Sequence, residues 1–188
     1  MRARAIVAAL VLSATAAVMS PAMAQRPDTS GPQKEAMQKV AHWIGEWEGT
    51  GWSMRGPGQK EEFTVTESVQ PKLGGMLLLV QGLGKSKDPS TGAETVGHDA
   101  LAVVSFDPKE GKYRFRHYTM QGASGDDEIV LTEKGMNWEL KTEGQPFRIR
   151  FTIEIQGDTW HEFGEFSRDG QTWMRTMEMT LQRVSKKG

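Results

Sequence analysis

The chain has no cysteine among its 188 residues, which excludes disulfides, a thiolate nucleophile and a lipid-bearing cysteine behind a secretory signal. It also lacks an excess of either charge. Its 23 Lys and Arg stand against 24 Asp and Glu, and no basic run gathers on any segment, so nothing electrostatic invites nucleic acid or an anionic membrane as partner. Gly-x-Ser-x-Gly is missing, and no serine sits where a base would activate it. Phosphate loops are missing as well, since Gly82-x-Gly84 runs on into Lys85-Ser86-Lys87 rather than into a helix. The four histidines, His42, His98, His117 and His161, never fall at the i, i+2 or i, i+4 spacing of a metal pair. We therefore expect neither a cofactor nor a metal site.

What is present begins with an export signal: Arg2 and Arg4, an apolar run from Ile6 to Val18, and the small-x-small site Ala22-Met23-Ala24. The run is too short for a membrane-spanning helix. Residues 1–24 are thus read as a signal peptide, 25–31 as a flexible leader and 32–188 as one domain, with the mature chain periplasmic or secreted and without an integral membrane segment. Removing two arginines and no acids shifts the formal charge from −1 to −3.

Pro32 can open a helix, and Met37, Val40, Ala41 and Ile44 recur at helical spacing before Gly45 stops the run. From Trp47 onward short segments of β character alternate with turn residues: Arg55 to Gly58, Lys85 to Gly92, Asp107 to Gly111, Gly122 to Asp127, Gly144 to Pro146, Gly157-Asp158 and Arg168 to Gly170. About ten strands joined by hairpin-length links, with no second helix to cross over a parallel sheet, predict an all-β, up-and-down antiparallel barrel with one short N-terminal helix. In the stretch from His42 to Trp52 the pair Gly45-x-Trp47 places an indole where the helix gives way to the sheet. There it would plug the barrel floor.

Period-two patterning assigns faces. Phe147, Ile149, Phe151, Ile153 and Ile155 point one way. Tyr113, Phe115, His117 and Thr119 form a second inward set, and Phe63, Val65, Glu67 and Val69 a third. Trp173, Arg175, Met177, Met179, Leu181 and Arg183 share a face of the last strand. In the strand over 159–167, His161 and Glu162 point oppositely, and the pattern does not say which is internal. Leu73 to Val80 is apolar on both sides, as expected if the helix, or a second copy of the chain in a homodimer, covers it.

The motifs Trp43-Ile44-Gly45-Glu46-Trp47-Glu48-Gly49, Leu73-Gly74-Gly75, Phe106-Asp107-Pro108 to Lys112-Tyr113, Asp169-Gly170-Gln171-Thr172-Trp173 and Thr180-Leu181-Gln182-Arg183 carry a family likeness. Together, over most of residues 36–184, they resemble exported bacterial proteins of a domain-of-unknown-function family with a lipocalin-like, calycin-type barrel. The resemblance implies that Trp47 and Arg183 pair to close the ring, a guanidinium over an indole being worth about 0.5–2 kcal/mol. The fold also resembles nitrobindin-type haem barrels. Their iron-binding histidine on the final strand has no counterpart between Met177 and Val184, where Glu178 stands nearest.

Inward-facing Glu67, His117 and Arg175 would form a polar spot in an interior walled by Phe115, Phe151, Trp173 and Met177. Two readings compete for that spot. In one, Glu67 and Arg175 form an internal ion pair that fixes register; in the other, the cluster receives a small hydrophobic or amphipathic ligand whose acidic or hydrogen-bonding end meets the charges. Ligand binding without conversion is the leading expectation. The alternatives are a haem or metal carrier using His117, His98 or His161, and acid–base chemistry by His117 and Glu67 on a carbonyl or ester compound.

Overall fold

The computed structural model describes residues 30–88, 90–140, 144 and 146–184. Residues 1–24, read above as a signal peptide, and most of those read as a leader lie outside the described residues. Helix α1 spans Gly31–Gln38 with Pro32 in its first turn and buries Ala36 and Met37. It is shorter than the apolar spacing predicts, because a 3-10 turn at Ala41–Trp43 replaces its last turn and sinks the Trp43 indole. Ten strands follow: β1 Gly45–Gly56, β2 Gln59–Lys72, β3 Leu77–Lys87, β4 Glu94–Asp107, β5 Lys112–Thr119, β6 Ser124–Leu131, β7 Gly135–Leu140, β8 Arg148–Gln156, β9 Thr159–Ser167 and β10 Met174–Arg183.

Each strand pairs antiparallel with the next, and β10 returns to pair with β1, so the sheet closes and leaves no edge. Trp47 and Arg183 are direct partners across the closing seam. The guanidinium lies 3.9 Å over the indole. It also donates to Asp158 Oδ1 and to the carbonyls of Ile44 and His42. One side chain thus ties the final strand to the segment entering the first. Gly45 makes the approach feasible, since a Cβ there would fall 2.5 Å from the guanidinium.

Helix α1 caps this end of the ring. Tyr113 donates its hydroxyl hydrogen to the Ala36 carbonyl at 2.7 Å, and Gln33 Nε2 donates to the carbonyl of Met76 at 3.1 Å. Beneath the cap Trp43, Trp47, Val69, Leu78, Val104, Trp160 and Leu181 form a dry floor. Alternation settles the doubly apolar stretch: Leu78 is buried inward, while Leu77 and Leu79 are half-buried on the outer side and Leu73 is exposed in a 3-10 turn. Among the described residues no helix is long and apolar enough to cross a membrane.

Candidate functional site

At the end opposite the helix, between the β1–β2 and β3–β4 hairpins, the ring opens into a cavity of about 900 Å³. Its rim is polar, with Ser53, Arg55, Glu61, Ser86, Thr95 and His98, and its walls are apolar, with Phe63, Val65, Phe151, Met177 and Met179. Arg55 and Glu61 bind each other in a two-point ion pair at the mouth. Glu67 and Glu162 also line the space, although they are only 8% and 9% exposed.

These two carboxyls are the deepest charges of the cavity. Glu67 is an inward position of β2, between Val65 and Val69, and directly opposes Trp47 on one side and Gly82 on the other. Gly82 supplies the room, because a Cβ there would stand 2.5 Å from Glu67 Oε1. Glu162 enters from β9, and the indole nitrogen of Trp160 donates to its Oε2 at 3.1 Å. Among the described residues no donor reaches Glu67, and no cation is placed against either carboxyl. Burial, reinforced by the neighbouring Glu162, pushes the Glu67 carboxyl up to about 8; burial raises Glu162 to about 7, against the indole's hydrogen bond. An unpaired buried carboxylate costs several kcal/mol. Near neutral pH the pair therefore retains protons unless something positive comes between them.

A second buried pair lies on the β5–β6 wall. His117 Nε2 meets Asp127 Oδ2 at 3.1 Å, both residues being nine-tenths buried. Gly125 gives the clearance, since its missing Cβ would crowd both side chains. Phe115 and Trp138 flank the imidazole, and Trp138 stacks on Phe151 at 4.4 Å and 13°. The Trp138 indole nitrogen is buried without an acceptor among the described residues. His117 and Asp127 satisfy each other through a hydrogen bond, unlike the carboxyl pair.

Residues 30–183 match the family described as protein of unknown function (DUF1579). The chain belongs to that family. No curated protein matches it in sequence. In structure, this DUF1579 barrel is similar to Rv2717c from M. tuberculosis, with a TM-score of 0.57 at 14% identity over 80% of this chain and 98% of that one. It is likewise similar to the S-type phycobiliprotein lyase CPES from Guillardia theta, with a TM-score of 0.54 at 11% identity over 81% of this chain and 94% of the lyase. At such identities the likeness is one of fold.

Of the residues singled out from the DUF1579 sequence, Glu67, Phe115, His117, Phe151 and Met177 do face the interior. They fall into two groups. Glu67, Phe151 and Met177 line the cavity, whereas Phe115 and His117 belong to the aromatic wall with Asp127. Trp173 and Arg175 face outward, contrary to the alternation. A bulge at Thr176, between Arg175 and Met177, reverses the phase of β10, so Arg175 opposes Glu165 and the next inward residue is Met177. Arg175 lies over the Phe163 ring at 3.8 Å and donates to Glu178 Oε1. Trp173 sits before the strand under the Arg150 guanidinium, 3.9 Å away. The Glu67–Arg175 ion pair, one of the two readings of the polar spot, does not form, and Glu162 is the charged neighbour of Glu67 instead.

The undecided strand is settled too: Glu162 is internal, and His161 lies outside, its Nε2 2.9 Å from Glu178 Oε1. Asp127 and Trp138 escaped the sequence reading. The phase of Gly125, Asp127, Ile129 and Leu131 could have singled out Asp127 from its acidic neighbours Asp126 and Glu128. Among the described residues no three His, Asp or Glu side chains are grouped to hold a metal ion.

Proposed function

We propose that the protein is exported and binds a small hydrophobic or amphipathic molecule inside its barrel without converting it. The observation that carries this reading is the cavity itself. A space of about 900 Å³ with apolar walls, a polar mouth and two carboxyls at its base that meet no cation among the described residues has the size and lining of small-molecule sites. Two features favour carriage over acid–base chemistry. His117 is engaged by Asp127 on the aromatic wall, and the carboxyls at the base have no histidine partner within the cavity, whose one lining histidine, His98, stands at the rim.

Native mass spectrometry of protein purified from its own host tests the binding reading: a retained small molecule, lost on unfolding, is the expected result. Protein that carries nothing, and that takes up no apolar fluorescent probe in competition with host lipid extract, would contradict it. Export is tested separately by the intact mass of protein recovered outside the inner membrane. A chain beginning at Gln25 is expected.

A further inference from the structure

Building on the binding reading above, we infer that the occupant of the cavity is a cationic amphiphile: an alkylammonium or amidinium head lodged between Glu67 and Glu162, with an apolar body along Phe63, Val65, Phe151, Met177 and Met179.

The sign of the cavity base leads to this class. Arg175 lies outside behind its bulge, and Arg55 is held by Glu61 at the mouth. The deep polar groups are therefore carboxyls, with the Trp160 indole spent on one oxygen of Glu162. Three carboxyl oxygens remain without a donor among the described residues, and an ammonium offers three. An anionic head could be received only while both carboxyls stay protonated, and a neutral hydroxyl would meet them as neutral groups; a cation alone gains further attraction as a carboxyl ionises beside it.

The surroundings fit a head of that kind. Gly82 clears the space against which Glu67 lies. The body continues toward the mouth past thioethers and aromatic rings, soft surfaces that adapt to an alkyl chain. Because the empty pair holds protons near neutral pH, seating a cation lets a carboxyl ionise, and the displaced proton passes to solvent. Binding and proton release are then one event.

Calorimetric titration with decylammonium chloride, decanol and sodium decanoate, each below its micelle limit, tests the head group at constant chain length. Decylammonium should bind at least about tenfold tighter than decanol, decanoate should bind most weakly, and only the cation should release protons when the titration is repeated at pH 6 in buffers of different ionisation enthalpy. Glu67→Gln and Glu162→Gln, each verified as folded by circular dichroism, should narrow the preference for decylammonium over decanol. Equal binding of the three heads, or binding of the cation without proton release, would overturn the cationic head and leave the carrier intact. If both Gln variants keep the full preference for the cation, the carboxyls do not hold it. Failure of all three probes to bind the native protein would remove the carrier reading along with this one.

Discussion

Below the helix the inward positions are Trp47, Val69, Leu78, Val104, Trp160 and Leu181, none more than 4% exposed, and the indoles of Trp47 and Trp160 meet edge to face at 5.6 Å. Toward the hairpin mouth the same faces of the same strands carry Gly49 and Gly51 on β1, where the backbone of β10 comes close, Gly82 and Gly84 on β3, over which Glu67 and His98 lie, and Gly164 on β9, against Met177 and Phe151. The cavity opens between these side chains. The same ten strands run through both ends, but the register is regular beside the plug and shifts toward the mouth, at Met54/Gly56 on β1, Gly84/Lys85 on β3 and Arg175/Met177 on β10. Side-chain volume and strand irregularity together therefore make one end a plug and the other a vessel. The comparison shows how a ring of fixed strand number can be sealed at one end and hollow at the other. It also explains where the two buried acids lie. They occupy the layer in which dry packing ends and the cavity begins.

Substitutions that exchange the characters of the two ends should separate them. Trp47→Ala would have the largest effect: it removes the fully buried indole, its contact with Trp160, its bond to the Trp43 carbonyl and the surface under Arg183. A loss of about 3–5 kcal/mol in urea unfolding is expected. A loss below 1 kcal/mol would show that the plug does not hold the barrel.

The acids at the boundary should make stability depend on pH. Folding raises Glu67 from 4.5 to about 8, so between those values the folded state binds more protons than the unfolded one and stability falls as pH rises. The slope approaches about 1.4 kcal/mol per pH unit for one group. Stability at pH 5 and pH 8 should therefore differ more in the native protein than in Glu67→Gln, whose amide does not titrate. Parallel profiles would mean that Glu67 is solvated.

Filling the hollow end should have a smaller effect on folding but a clear one on binding. Val65→Phe places a ring in the cavity and should cost no more than about 1–3 kcal/mol of stability, while an apolar fluorescent probe loses most of its affinity. Undiminished probe binding would place the ligand elsewhere. The smallest effect belongs to Arg175→Ala. On the outer face it should alter stability by less than about 0.5 kcal/mol and leave probe affinity unchanged, so a binding defect would show that the bulge does not keep Arg175 outside.

Much of this is local in origin and could be read from residue order. Strands and turns follow from hydrophobic alternation and from breakers such as Arg55-Gly56-Pro57-Gly58, and the inward sets on β5 and β8 follow from period two. The Trp47–Arg183 seam was readable through a resemblance in motif order, and the geometry shows the same pair in register. The errors arose where alternation was extended through an irregularity. Nothing in Thr172-Trp173-Met174-Arg175-Thr176-Met177 announces a one-residue bulge, because the bulge is set by how β10 fits β9 and not by any residue in it.

The sequence by itself determined a closed antiparallel ring with a plugged entrance, because alternating polarity and turn chemistry are properties of neighbours along the chain. Only the tertiary structure decided which charges meet inside. Glu67 on β2 and Glu162 on β9 are 95 residues apart in order, and closure brings them together while a single extra residue in β10 sends Arg175 outward. The electrostatic sign of a barrel interior depends on the phase of every contributing strand at once, and one shift in phase changes the kind of molecule the interior can hold.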